Sequence, residues 1–214
     1  MIITQKKPIN EVLDFLKDSK NIIIIGCGRC ATSCETGGLK QVEEMKELLE
    51  KNNKNIVFSS VPEAACDERL LRLELNKADL KNTDAILSMA CGSGTSAIND
   101  LTDHHIFPAN SSMFLGVVKR IGSYDERCSM CGDCVLGETL GICPVTRCSK
   151  GLLNGPCGGS RDGKCEVDPN RNCGWQMIYD KLKKHDKLDN IRKFWKPKNY
   201  RLSMKPQTIE IKDN

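Results

Sequence analysis

Asn21-Ile22-Ile23-Ile24-Ile25-Gly26-Cys27-Gly28-Arg29-Cys30-Ala31-Thr32-Ser33-Cys34 is the stretch on which the fold turns. Four successive isoleucines show no alternation of apolar and polar positions, which marks a strand covered on both faces, and Gly26 ends it. Such strands belong to parallel sheets flanked by helices, so helices are expected around it. Ile9, Val12, Leu13 and Leu16 fall on one helical face behind Pro8. Leu39, Val42, Met45, Leu48 and Leu49 form a second stripe beyond the Gly37-Gly38 turn, with Glu and Lys opposite. The alternation continues with a strand at 55–59, a helix near 67–76, a strand at 85–89, a helix from about 95 to 101 and a short strand at 105–107.

The fold class is therefore α/β: a small parallel-sheet, Rossmann-like N-terminal domain, followed by an irregular cysteine-rich, metal-organised region and a C-terminal helix. Periodicity fades after about residue 120, and Gly, Cys, Asn and Pro dominate up to residue 174. The expected divisions are an α/β domain over 1–120, a cysteine-rich region over 121–182, and a basic segment and tail over 183–214. The last helix is expected from Trp175 to about Leu188, and the polar end beyond Pro197 reads as a tail or a strap across a partner.

Composition limits the chemistry. With 39% hydrophobic and 5% aromatic residues in 214, the core is modest, while 13 cysteines far exceed ordinary usage. The opening residues Met1-Ile-Ile-Thr-Gln-Lys-Lys lack the apolar stretch of a signal peptide, so a cytoplasmic chain is expected. In a reducing compartment cysteine clusters bind metal or carry out catalysis rather than form disulfides, and an odd total agrees. No aliphatic run is long enough to span a bilayer. The net charge of +4 gives no overall case for nucleic acid.

The cysteines fall into two constellations. Cys27, Cys30 and Cys34 follow the first strand, and Cys66 and Cys91 follow the next two. Open α/β sheets bind ligands at the carboxyl edge of their strands, so five thiols far apart in sequence are expected to converge there. Gly26, Gly28 and Ala31 also match the dinucleotide fingerprint. That reading is outweighed by Cys27 and Cys30 at its variable positions and by Ser59-Ser60, which offer no acidic residue for a ribose.

The second constellation is Cys128-Ser-Met-Cys131-Gly-Asp-Cys134, then Cys143-Pro144, Cys148, Cys157, Cys165 and Cys173. Cysteines at successive three-residue steps, with a later Cys-Pro, are ferredoxin-like and favour a [4Fe–4S] cluster; zinc stays open at another site. Eight thiols suffice for two four-cysteine sites, and the spacing leaves their grouping open. Over the whole chain two clusters are expected and three are the ceiling, with Cys66 or Cys91 as the spare thiol.

Adjacent His104 and His105 point to opposite faces of a strand and are not expected to share a metal. No serine elbow and no paired carboxylates placed beside a pocket signal appear, so no catalytic residue is assigned. Nine Lys or Arg against two Asp lie between Lys181 and Arg201, interleaved with Phe194, Trp195 and Tyr200. Docking to an acidic protein surface or an electron donor is preferred there over nucleic acid.

Several blocks carry a resemblance: the Cys128 run, Gly141-Ile-Cys-Pro, Lys150-Gly-Leu-Leu-Asn-Gly-Pro-Cys-Gly-Gly, Gly163-Lys-Cys-Glu-Val-Asp-Pro and Trp175, together with the Cys27-Gly-Arg-Cys loop, Cys66-Asp67 and Ala90-Cys91-Gly92. Over about residues 22 to 182 the chain resembles the small cysteine-rich iron–sulfur subunit (MetV type) of the methylenetetrahydrofolate reductases of anaerobes. The resemblance implies a larger flavin-containing partner subunit that holds FMN or FAD and carries the folate chemistry. This chain would relay electrons to it from a donor protein. The rival is a zinc-stabilised scaffold or nucleic-acid-binding module without redox function.

Overall fold

The computed structural model describes residues 1–210 and divides into two compact units, Met1–Asp125 and the remainder from Glu126. The last four residues of the expected tail lie outside the described residues.

In the first unit the chain runs β1 (Ile2–Lys6), α1 (Ile9–Phe15), β2 (Asn21–Ile25), α2 (Cys30–Ser33), α3 (Leu39–Lys51), β3 (Asn55–Ser60), α4 (Glu68–Leu75), β4 (Ala85–Ser88), α5 (Gly92–Leu101), β5 (His105–Pro108), β6 (Asn110–Arg120) and β7 (Ser123–Cys128). Strands β3-β2-β4-β5 form a parallel sheet in that order. The isoleucine run explains its two-faced burial. Ile22 and Ile24 pack with Val12, Leu16, Val42 and Leu49 from α1 and α3, whereas Ile23 and Ile25 pack with Leu71, Leu75 and Ile98 from α4 and α5. Strand periodicity of two sends alternate isoleucines to opposite layers, and all four are fully buried. This is the α/β architecture expected from the sequence.

Helix α5 begins at Gly92 rather than near Thr95, because Cys91 caps it and its carbonyl accepts the Thr95 amide at 2.9 Å. A second sheet, β1-β6-β7, has no counterpart in the sequence reading. Strand β1 runs antiparallel to β6, with Ile2 opposite Leu115 and Lys6 opposite Asn110. Its residues alternate weakly: Ile3 and Thr4 are buried side by side, and the register shifts between them. A bulge of that kind breaks the period-two signature.

The second unit holds little regular structure: α6 (Pro144–Arg147), α7 (Gly174–Lys184) and α8 (Asp189–Arg192). Helix α7 stops short of the expected Leu188, its C-cap at His185 being followed by Asp186 at φ +53°. Trp175, Ile178 and Leu182 form the buried face of α7 against Leu140, Ile142, Leu152, Ile191 and Trp195. The Trp175 indole donates to the Leu152 carbonyl at 2.9 Å, and its ring lies 6.0 Å from that of Trp195. No helix among the described residues is long and apolar enough to cross a membrane.

Candidate metal centres

The first centre is assembled at the carboxyl edge of the parallel sheet. Strands β2 and β4 are neighbours whose chains leave in opposite directions along the sheet, which opens a crevice beyond their ends. Gly26 and Gly37 let the loop after β2 close tightly. A Cβ at Gly26 would stand 2.5 Å from the Gly37 carbonyl oxygen, and one at Gly37 would stand 1.8 Å from that of Met89. The Gly28 amide donates to the Pro62 carbonyl at 2.8 Å and so ties this loop to the one after β3. Cys27, Ala31, Ala65 and Ala90 consequently form one small buried cluster drawn from three loops. The Asp67 carboxylate accepts the Arg69 amide at 3.0 Å and caps α4 from the position just after Cys66.

Four thiols share this neighbourhood. Partial burial of its sulfur raises the pKa of Cys66, although the residue as a whole is exposed, and the nearby Cys91, Cys27 and Cys30 thiols raise it further. Mutual repulsion of this kind disfavours several free thiolates in one place, and a bound cation relieves it. Cys34 is turned elsewhere: its sulfur accepts the Thr4 amide at 3.5 Å and lies 3.9 Å from the Ile2 carbonyl on β1. The thiol set apart is thus Cys34, whereas the sequence pointed to Cys66 or Cys91.

In the second unit, Cys148, Cys157, Cys165 and Cys173 line a single small cavity together with Lys150, Glu166 and Trp175. Helix packing produces this convergence. Gly174, at the start of α7, sits so close to the end of α6 that a Cβ would be 2.5 Å from the Arg147 carbonyl oxygen, and this brings Cys148 beside Cys173. The Cys173 amide donates to the Gly163 carbonyl and the Cys165 amide to that of Arg171, which folds the 163–173 loop into place. The Ser149 hydroxyl, and then the Val167 and Asp168 amides, hold the Cys165 pKa down and favour its thiolate. The Cys157 sulfur lies 3.1 Å from Glu166 Oε1, and the same carboxylate pairs with Lys150.

Cys128 ends β7, and Cys131 and Cys134 follow on a loop that turns through Met130 and Gly132 at positive φ. The Met130 amide donates to the Cys128 sulfur at 3.3 Å. Thr146 Oγ1 donates to the Arg127 carbonyl at 3.1 Å and ties α6, which starts one residue after Cys143, to the chain entering this loop. The segment beyond Pro197 reaches back onto the loop: the Asn199 amide donates to Asp133 Oδ2 at 3.0 Å, and Leu202 packs on Gly132. At these positions the segment braces its own chain. For Cys131, burial opposes ionisation, but backbone hydrogen bonding at Asp133 and the Lys198 ammonium outweigh it and lower the pKa.

Among the described residues, no three His, Cys, Asp or Glu side chains are arranged to hold a single metal ion. His104 Nε2 meets the Leu80 carbonyl at 2.9 Å while the His105 ring stacks along Phe107, so the two histidines diverge. Lys198, Lys150 and Glu166 escaped the sequence reading. Nothing distinguishes Lys198 from its eight basic neighbours between Lys181 and Arg201, although Glu166 stands beside a cysteine in a block already singled out.

Fold and site together define an α/β protein with thiols gathered at a sheet edge and around a cavity in a helix-braced second unit. Residues 107–201, from the end of β5 to the segment resting on the Cys128 loop, match the family described as methylene-tetrahydrofolate reductase C terminal, and through that stretch the chain is related to methylenetetrahydrofolate reductases. No curated protein and no solved structure matches the chain.

Proposed function

We propose that this chain is the electron-transfer subunit of a methylenetetrahydrofolate reductase, relaying electrons through [4Fe–4S] clusters to the flavin of a larger catalytic subunit that reduces methylenetetrahydrofolate to methyltetrahydrofolate. The observation that carries the reading is the convergence of Cys148, Cys157, Cys165 and Cys173 on one cavity, inside the stretch that matches the reductase family. Four thiols with no disulfide partner, lining one cavity, are the side chains a [4Fe–4S] cluster would take as ligands.

We assign the other thiols to two further sets, Cys27, Cys30, Cys66 and Cys91 at the sheet edge and Cys128, Cys131, Cys134 and Cys143 around the second loop, with Cys34 left over. A bound [4Fe–4S] cluster accepts and returns single electrons without moving a proton. The protein's contribution is to ionise and orient the thiols and to limit water. Ser149 and the amides of Val167 and Asp168 favour the Cys165 thiolate, Trp175 covers the cavity from the core side, and Lys150 balances Glu166. Each set reaches the surface through an exposed cysteine, namely Cys66, Cys128 with Cys134, and Cys157, so none is sealed from a redox partner.

Anaerobic purification tests the reading. A brown chain bleached by dithionite, with about eight or more iron and sulfide per chain for two or more cubane clusters, is expected. A colourless chain holding zinc alone overturns it.

A further inference from the structure

Among the buried polar side chains of the described residues, Lys198 is the only charged one, with 7% of its surface exposed. Taking an ammonium out of water costs several kcal/mol unless a counter-charge or dense hydrogen bonding meets it. Among the described residues no carboxylate forms an ion pair with it. Its Nζ donates to the Asp133 carbonyl oxygen, which is neutral, while the Asp133 carboxylate is taken up by the Asn199 amide. The group positioned to balance the charge is Cys131. Its sulfur lies 3.5 Å from the same Asp133 carbonyl oxygen, so ammonium and sulfur are within roughly 6.5 Å of each other.

This placement is built into the backbone. Gly132 adopts φ +74° and lets the chain from 198 to 202 lie directly on the loop, where a Cβ would come within 2.8 Å of the Leu202 Cβ. The lysine is therefore delivered from more than sixty residues further along the chain into the centre of the Cys128–Cys134 loop. Neighbouring basic residues such as Lys196 are exposed, and their charges are screened by salt.

We propose that Lys198 sets the electron affinity of the centre held by the Cys128–Cys134 loop: its buried positive charge beside Cys131 raises that centre's reduction potential. The proposal rests on the iron–sulfur reading above. One-electron reduction, with the electron supplied by a reduced donor protein and passed on to the flavin, adds one negative charge to a thiolate-ligated group and makes or breaks no bond. A fixed positive charge nearby favours the more negative state, and it does so more strongly in a partly desolvated site than in water.

The test is a potentiometric titration, read by electron paramagnetic resonance, of the full chain purified anaerobically, with iron and sulfide measured on the same samples. Lys198→Met is expected to keep its iron and sulfide while one centre moves to a more negative potential, so that the fraction reduced at a fixed potential falls several-fold. Lys198→Arg is expected to restore the potential, and Lys196→Met to leave it in place. An unmoved potential in K198M at full iron content overturns the proposal. If K198M loses iron, Lys198→Gln decides, because it keeps a donor for the Asp133 carbonyl without the charge. A lowered potential with iron retained supports tuning, and loss of iron there as well makes Lys198 an assembly residue and overturns it. Absence of iron and sulfide from the unmodified chain defeats the iron–sulfur reading itself, an outcome distinct from an unmoved potential.

Discussion

Gly37 lies directly against the Met89 carbonyl, so close that a Cβ on Gly37 would stand 1.8 Å from the oxygen. This contact closes the loop after β2 onto the end of β4 and brings Cys27 and Cys91 to one place. Gly37→Ala cannot be accommodated by a side-chain rotation, because the obstacle is backbone. It is expected to cost about 1–3 kcal/mol or more, and to reduce the metal bound at the sheet edge. Gly137→Ala, which meets nothing within 4 Å and carries no positive φ, is expected to stay within about 0.5 kcal/mol of the unmodified chain. Urea unfolding of the two variants checks the contrast, and equal midpoints would remove the assigned role of Gly37.

Ile24 is fully buried between β2 and the layer of α1 and α3. Truncation to Ala leaves a cavity in a layer formed by rigid helices, and the expected loss is about 2–5 kcal/mol. Leu39 belongs to the same apolar stripe in the sequence but is 69% exposed, so Leu39→Ala is expected to change stability by no more than about 0.5 kcal/mol. Chemical denaturation of both variants measures the difference, and comparable losses would contradict the layer assignment.

Asp84 accepts the backbone amides of Lys20 and Asn21 at 2.8 and 2.7 Å, which clamps the start of β2 to the start of β4. The Asn21 amide and then the Lys20 amide hold its pKa below the ordinary aspartate value. A carboxyl whose folded pKa is depressed adds stability above its unfolded pKa of about 4, and that contribution is lost as pH falls through the lower folded value. Asp84→Asn is therefore expected to be less stable than the parent at neutral pH, with the gap narrowing as pH drops below about 4. Thermal melts of both proteins across that range provide the check. A gap that is constant or widens on acidification would show that the charge on Asp84 does not contribute.

The legible and illegible parts of the molecule divide along physical lines. Ile22 to Ile25, and the stripes of α1, α3 and α4, announce themselves because a strand buried on both faces and an amphipathic helix each impose a period on the sequence. Strand β1 does not, since the shift between Ile3 and Thr4 breaks its alternation, and β6 exposes Met113, Val117 and Val118, where polar residues were to be expected. The convergence of Cys27, Cys66 and Cys91 followed from a general property of parallel sheets. The grouping around Cys148 and Cys173 depends on one close helix approach at Gly174, and the position of Lys198 on a long-range return of the chain, neither of which leaves a local pattern.

Cys34 gives the sharpest test of the thiol grouping, because it shares a loop with Cys27 and Cys30 yet directs its sulfur to β1. A ligand thiolate and a packed thiol respond differently to Ser. At a ligand position the substitution removes the sulfur that ties the cluster to the chain, whereas at Cys34 it leaves a group that still accepts the Thr4 amide. Cys34→Ser is expected to retain the iron and sulfide of the unmodified chain, with stability changed by about 1 kcal/mol at most. Cys66→Ser is expected to lose iron in proportion to one centre, about four atoms for a cubane, and to leave the absorbance of the second unit's centres in place. Metal analysis of the two variants, prepared side by side under anaerobic conditions, reads the outcome. Loss of iron from Cys34→Ser with retention in Cys66→Ser would reverse the assignment and make Cys66 the structural thiol.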